Sequence, residues 1–155
     1  MRRAEIAVSS ELEASAEAVW ARAIDPAGIN DELRPLMRMT VPKGAEDFGL
    51  DELEPGHIGR SWIFFLGFLP LDYDDITVVR AEPGRGFLER SSMLSMRLWE
   101  HERTLEPLGE NRCRVTDRLA WESRLPLSGA LLRPLIRAVF NHRHRRLRGV
   151  WGGTG

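Results

Sequence analysis

The hydrophobic period of this chain changes twice, and the order of those changes constrains its fold more than any single motif. Ala4 to Leu12 alternates loosely, with Ile6 and Val8 on one parity, as a half-buried strand does. Two helix starts follow at once. Ser15 stands just before Glu17, Val19, Trp20 and Ala23, where its side-chain oxygen can accept from free amides of a first turn. Asp25 can cap a second helix with Pro26 at its first position, and Pro35 supplies the stop. From Leu36 to about Glu122 the chain reads as strands punctuated by Gly and Pro: Leu36 to Val41, Ile58 to Leu66, Tyr73 to Ala81, Gly86 to Met93, Met96 to Glu106 and Arg112 to Ser123. After Pro126 the period becomes helical, with Leu132, Ile136, Val139, Phe140, Arg143 and Leu147 spaced by three and four.

Short connections make an antiparallel meander the simplest pairing. The expected fold class is therefore α+β: a seven-stranded antiparallel sheet curled around a long C-terminal helix, with two short helices between strands 1 and 2. That helix is expected from about Pro134, after a lead-in from Leu127, to Arg148, with Gly149 ending it and 152–155 frayed. Residues 1–150 are expected to form one domain, with 151–155 as a tail. A domain of this size can bury roughly 70% of its unfolded surface, enough for one sizeable core. Only the last helix is long enough to cover a sheet face, and sheet twist leaves a concave space beneath it, which points to a cavity.

Composition excludes several classes of function. A net charge of -1 with 29% charged residues gives no broad basic field for nucleic acid. No apolar run reaches the ~18 residues of a membrane span, and the N-terminus lacks the apolar stretch of a signal peptide. Cys113 is the only cysteine, as suits a reducing cytoplasm. No metal or cofactor motif is present. The acidic stretch Glu46 to Glu54 reads as a solvated loop, and the run from His142 to Arg148 as a solvated helix end whose cations complement the helix dipole. His142 and His144 lie about 200 degrees apart around a helix, poorly placed to share a metal.

Candidate site residues come from the last hairpin. Pairing symmetrically about Gly109 sets Leu105 opposite Cys113, Arg103 opposite Val115, His101 opposite Asp117, Trp99 opposite Leu119 and Arg97 opposite Trp121. Trp99, Leu105, Cys113, Val115, Leu119 and Trp121 make this face apolar, so it should look inward, carrying His101, Arg103 and Asp117 with it. Buried charge needs partners, so a His101 to Asp117 hydrogen bond is expected, with Arg103 bridging to Glu89. Three uses stay open for the pair: stitching two strands, anchoring a ligand's polar end, or acid/base catalysis by His101 with Asp117 orienting it. Trp62, Phe64, Trp99, Leu119 and Trp121 are candidate cavity walls. Either Trp62 with Phe64 or Ile63 with Phe65 can be the inward set.

The chain also resembles the START-like, or SRPBCC, helix-grip superfamily, which includes the polyketide cyclase/dehydrase and birch-pollen-allergen groups. The likeness runs through the element order and through Glu13 to Trp20, Asp25-Pro26, Phe87, Glu89, Trp99, His101, Thr116-Asp117 and Pro126. These residues are similar to a subgroup pattern in which a strand with Phe and an acid precedes Trp-x-His-x-His and a Thr-Asp strand. Arg103 stands in place of the second histidine, and Leu94-Ser95 in place of a Gly-Pro. The resemblance implies a ligand cavity that holds a small apolar molecule such as a lipid or polyketide. Cyclase, aromatase or hydrolase chemistry, or a protein-interaction role, are its alternatives. A monomer or homodimer is expected.

Overall fold

A computed structural model describes residues 3–43, 53–126 and 129–155. Strand β1 (Ala4–Leu12) leads into α1 (Ala16–Ala23) and α2 (Pro26–Leu33), and then into β2 (Met37–Met39), β3 (Gly56–Phe65), β4 (Leu69–Glu82), β5 (Gly86–Met93), β6 (Met96–Gly109) and β7 (Arg112–Ser123). Helix α3 (Gly129–Trp151) and a two-residue strand β8 (Gly153–Thr154) complete it. Both helix starts form as expected: Ser15 Oγ accepts from Ala18 N at 3.1 Å, and Asp25 Oδ1 accepts from Ala27 N at 3.1 Å. Most of the acidic stretch, 46–52, lies outside the described residues, as do Leu127 and Ser128.

The strands form one antiparallel sheet in the order β2-β3-β4-β5-β6-β7-β1-β8. It has eight strands rather than seven, because the expected frayed tail pairs with β1: Gly153 opposes Leu12 and Thr154 opposes Glu11. Two glycines permit this. Gly152 turns the chain at φ 75°, and a Cβ on Gly153 would sit 1.9 Å from the Glu11 carbonyl oxygen. Helix α3 runs past the expected stop at Gly149 to Trp151, and Gly152 N donates to the Arg148 carbonyl at its end. At its other end α3 begins at Gly129, ahead of Pro134, so the expected lead-in is partly helical.

The β6–β7 hairpin differs from the expected register by two residues in its opposite numbers. Trp99 opposes Trp121, His101 opposes Leu119, Arg103 opposes Asp117 and Leu105 opposes Val115, so symmetry runs about Glu110 and not Gly109. The strand continues through Pro107, and an irregularity between Pro107 and Gly109 absorbs one residue ahead of a tighter turn. A shift of two preserves parity, so the side chains assigned to the inner face from Trp99 to Trp121 stay there, while an irregularity between Met96 and Leu98 turns Arg97 out and buries Met96 instead.

The core lies between the inner sheet face and α3 in two apolar clusters. One gathers Leu12, Val19, Trp20, Phe87, Leu105, Cys113, Val115 and Leu147. The other gathers Ile6, Ile63, Met93, Met96, Leu119, Trp121, Ile136 and Phe140. No described helix is long and apolar enough to cross a membrane.

Candidate functional site

What separates the two clusters is a layer of buried polar side chains. On each contributing element it falls between an apolar residue of one cluster and an apolar residue of the other: Ser10 between Ile6 and Leu12, Asp117 between Leu119 and Val115, Arg143 and His144 between Phe140 and Leu147. His101 and Arg103 occupy the same level on β6, and α2 contributes Glu32.

Asp117, fully buried, is the hub. Its Oδ1 accepts from His101 Nε2 at 2.7 Å and Arg103 Nε at 2.8 Å, and its Oδ2 accepts from Arg103 Nη2 and His144 Nε2, both at 2.8 Å. Four bonds fill the lone-pair sites of a carboxylate. Arg103 also forks onto Glu32, with Nη2 to Oε1 at 2.8 Å and Nη1 to Oε2 at 3.1 Å, and Arg143 Nε donates to Glu32 Oε1 at 3.2 Å. His144 Nδ1 meets Ser10 Oγ at 2.8 Å, and Arg148 donates to that same hydroxyl at 2.8 Å. The pattern is satisfied with His144 donating from Nε2 and accepting at Nδ1 from the Ser10 hydroxyl.

Two guanidiniums balance two carboxylates, and this sets the electrostatics. Burial opposes charge on Asp117, but Arg103 and then His101 outweigh it and hold its carboxyl well below the usual range. The Glu32 carboxyl is likewise lowered, with burial overcome by Arg103 and Arg143. Burial also lowers His101 against the pull of Asp117, favouring neutral imidazole. Its ring is packed edge-on against Phe87 and Phe140, with centroids 5.3 and 5.2 Å away.

The expected His101 to Asp117 bond therefore exists, but three expectations around it need correction. Arg103 bridges to Glu32, not Glu89. The C-terminal charge run is not all solvated: the inward stripe through Phe140 and Leu147 carries Arg143 and His144 inside, while His142 faces out and reaches the Arg34 carbonyl. And the polar group does not line the cavity.

The cavity lies elsewhere, at the end of the sheet where β3 and β5 begin. It has a volume of about 170 Å³ and is walled by the end of α1, by α2, by the segment after β2, and by β3, β4 and β5. Ile24, Ile29, Ile58, Ile76, Val78 and Phe87 make it apolar. None of Trp99, His101, Arg103, Asp117, Leu119 or Trp121 reaches it; Phe87 stands between it and His101. Trp99 packs on Trp121 and Phe140, and Leu119 and Trp121 are buried core. Trp62 and Phe64 point to the opposite sheet face, Trp62 being 47% exposed against Tyr73 and Phe64 lying under Arg38. Beyond the irregularity between His57 and Gly59, which lets Ile58 line the cavity, the inward residues of β3 are Ser61 and Ile63. Sequence alternation allowed both sets, and the aromatic one faces out.

Of the expected polar anchors, Glu89 alone lines the cavity. The other polar lining groups are engaged: Asn30 with the Met39 backbone, Thr40 Oγ1 with Trp62 N, and Ser61 Oγ with the Thr40 carbonyl. No hydrogen bond reaches the Glu89 carboxyl among the described residues, and burial, then the nearby charge of Asp74, pushes it up to about 8. At neutral pH Glu89 is thus a protonated acid facing an apolar space, able both to donate and to accept. The sequence reading missed Glu32, Arg143, His144 and Ser10. The signal for Arg143 was its place on the helical stripe, and for Glu32 its spacing of four from buried Gly28. No described group of His, Cys, Asp and Glu is placed to hold a metal ion.

Residues 10–151 match the model of a domain family of unknown function, DUF8410. The chain belongs to that family. No curated protein matches it in sequence. Among solved structures it is similar to a START superfamily protein from Mycobacterium smegmatis, with a TM-score of 0.71 at 15% identity over 95% of this chain and 96% of that one. It is also similar to the Zhui aromatase/cyclase from Streptomyces sp. R1128, with a TM-score of 0.67 at 12% identity over 96% and 93% of the two chains. At such identities the likeness concerns the fold, which is START-like, or helix-grip, as the sequence resemblance implied.

Proposed function

We propose that this DUF8410 chain binds a small, mostly apolar molecule carrying one neutral polar group, and that Glu89 meets that group. The observation that carries the reading is an apolar cavity in which the one polar side chain without a hydrogen bond among the described residues is a carboxyl raised to about 8. A dry cavity of ~150 Å³ accommodates a single aromatic ring, so the space here, partly open to solvent, suits one ring or a short acyl segment, not a whole lipid. A carbonyl or hydroxyl on such a molecule matches a protonated carboxyl. The fold shared with START and aromatase/cyclase proteins is in keeping with binding.

Catalysis by His101 with Asp117 finds no support in the geometry. Both lie behind Phe87, and Asp117 has no lone-pair site left for a substrate. The polar layer reads as structural, which is one of the uses the sequence left open. Titration with an apolar fluorescent probe tests the proposal. Uptake should disappear in Ile76→Trp, which fills the cavity, and weaken in Glu89→Leu for a carbonyl-bearing probe more than for a hydrocarbon one. Equal uptake by folded Ile76→Trp refutes it.

A further inference from the structure

The end of the molecule opposite the cavity has a different chemistry. The β3–β4 turn, the β5–β6 turn and the first turns of α3 all lie there, since β3, β5 and β7 run toward it and α3 departs from it. The elements are tied together: Leu66 N donates to the Leu36 carbonyl, Leu94 N donates to Asp72 Oδ1 at 2.8 Å, and Arg124 Nε donates to the Met93 carbonyl. Ile136 of α3 packs in one cluster with Met93, Met96 and Ile63.

Large apolar side chains stand out from this end. Phe68 is 73% exposed and Leu131 is 77% exposed, and Leu66, Leu69, Leu94 and Leu135 are each at least half exposed. Isolated exposed apolar side chains need no explanation, but five leucines and a phenylalanine at one end do. The exposed charges among them that lack an ion-pair partner among the described residues have one sign. Arg38, Arg97, Arg124, Arg133 and Arg137 are exposed, and none pairs with a carboxylate among the described residues. Arg38 instead holds the Gly67 carbonyl, and Arg133 the Glu5 carbonyl. Nearby acids are engaged or recessed: Asp72 binds Ser95 Oγ and two amides, Glu5 pairs with Arg3, and Glu122 is half-buried.

We propose that this end docks peripherally on an anionic lipid surface, with Phe68 and the leucines entering the headgroup boundary and the arginines meeting lipid phosphates and carboxylates. Protruding apolar tips at the same end as cations without carboxylate partners fit that occupant, since apolar insertion and attraction to anionic headgroups act together. A second copy fits worse, because a two-fold interface would set these arginines against one another, with no exposed unpaired acid at this end among the described residues to answer them. The cavity, where β3 begins, then faces away from the lipid.

Vesicle co-sedimentation of the full chain tests this directly. The protein should sediment with phosphatidylserine-containing phosphatidylcholine vesicles and not with phosphatidylcholine alone, and added salt should release it. A Phe68→Ser/Leu131→Ser variant should lose about tenfold or more in partitioning with its melting curve intact, because both side chains are exposed. Arg97→Glu/Arg137→Glu should lose anionic selectivity without touching an apolar tip. No sedimentation of the wild-type chain overturns the proposal, as does undiminished sedimentation of both variants. A dimer that Phe68→Ser/Leu131→Ser dissociates, without vesicle binding, overturns it in favour of an interface between copies. Probe uptake by the cavity is independent of all these outcomes.

Discussion

Replacing Asp117 by Asn should destabilise the protein severely while leaving the cavity functional. The substitution keeps shape but removes the charge that balances Arg103 and presents an amide N–H₂ toward two of the four donors, since each carboxylate oxygen accepts two. Arg103, 1% exposed, is left sharing Glu32 with Arg143, so the layer gains a net positive charge out of reach of water. Breaking a buried pair by removing one partner costs about 3–5 kcal/mol. Total stability is about 5–15 kcal/mol for a typical domain, and each kcal/mol moves Tm by ~2–4 °C at this size, so Tm should fall by roughly 6–20 °C. Urea unfolding gives the free energy and calorimetry the Tm, while probe titration well below the new Tm should give an unchanged Kd. A loss below about 1 kcal/mol would refute the structural reading of the layer. So would probe binding abolished at unchanged stability, which would return Asp117 to a ligand site.

Three further outcomes follow from the same structure. The Glu89 carboxyl is raised to about 8 and that of Asp74 to about 7, in each case by burial first, so the folded state holds protons the unfolded chain releases near pH 4. Their contribution is complete below the unfolded values and lost as pH rises to about 8; Glu89→Gln should flatten that decline, seen as a higher Tm at pH 9 with little change at pH 4. Asp117 and Glu32 have the opposite sign: both are lowered in the fold, so their contribution is present at neutral pH and lost as pH falls below about 4, and Asp117→Asn should blunt acid unfolding monitored by circular dichroism. Gly153→Val should detach β8 from β1 because its Cβ would collide with the Glu11 carbonyl, exposing the amides of 11–13 to faster hydrogen exchange at a cost of about 1–3 kcal/mol.

Element order and faces were legible because period and punctuation carry them. Ser15, Asp25-Pro26 and Pro35 marked both short helices, and alternation on β6 and β7 set the inner face correctly from Trp99 to Trp121 even though the hairpin centre moved by one residue. Pro107 read as a turn and is strand, since a proline without an N–H is tolerated beside a bulge. Strand β8 was invisible: two residues have no period, and a glycine pair reads as a tail until its partner is known.

The site was legible in part. His101, Arg103 and Asp117 declared themselves as charges on an apolar face, and their bonds follow from what burial demands. Their partners did not, because Glu32 and His144 arrive from elements distant in sequence, and packing of α2 and α3 decides which carboxylate Arg103 takes. The same closure moved the candidate ligand anchor. Once Asp117 is saturated, Glu89 remains as the carboxyl that faces open apolar space. Trp62 and Phe64 looked like walls because aromatic side chains favour interiors, yet alternation on β3 gives the inner face to Ser61 and Ile63.

Native mass spectrometry of the freshly purified chain tests the central claim most directly. The wild-type protein and Asp117→Asn should each carry, or take up from a panel of single-ring carbonyl compounds, one additional small mass that collisional activation releases, while Ile76→Trp carries none. A mass retained by folded Ile76→Trp, or no uptake by the wild-type chain, would contradict the cavity as the site.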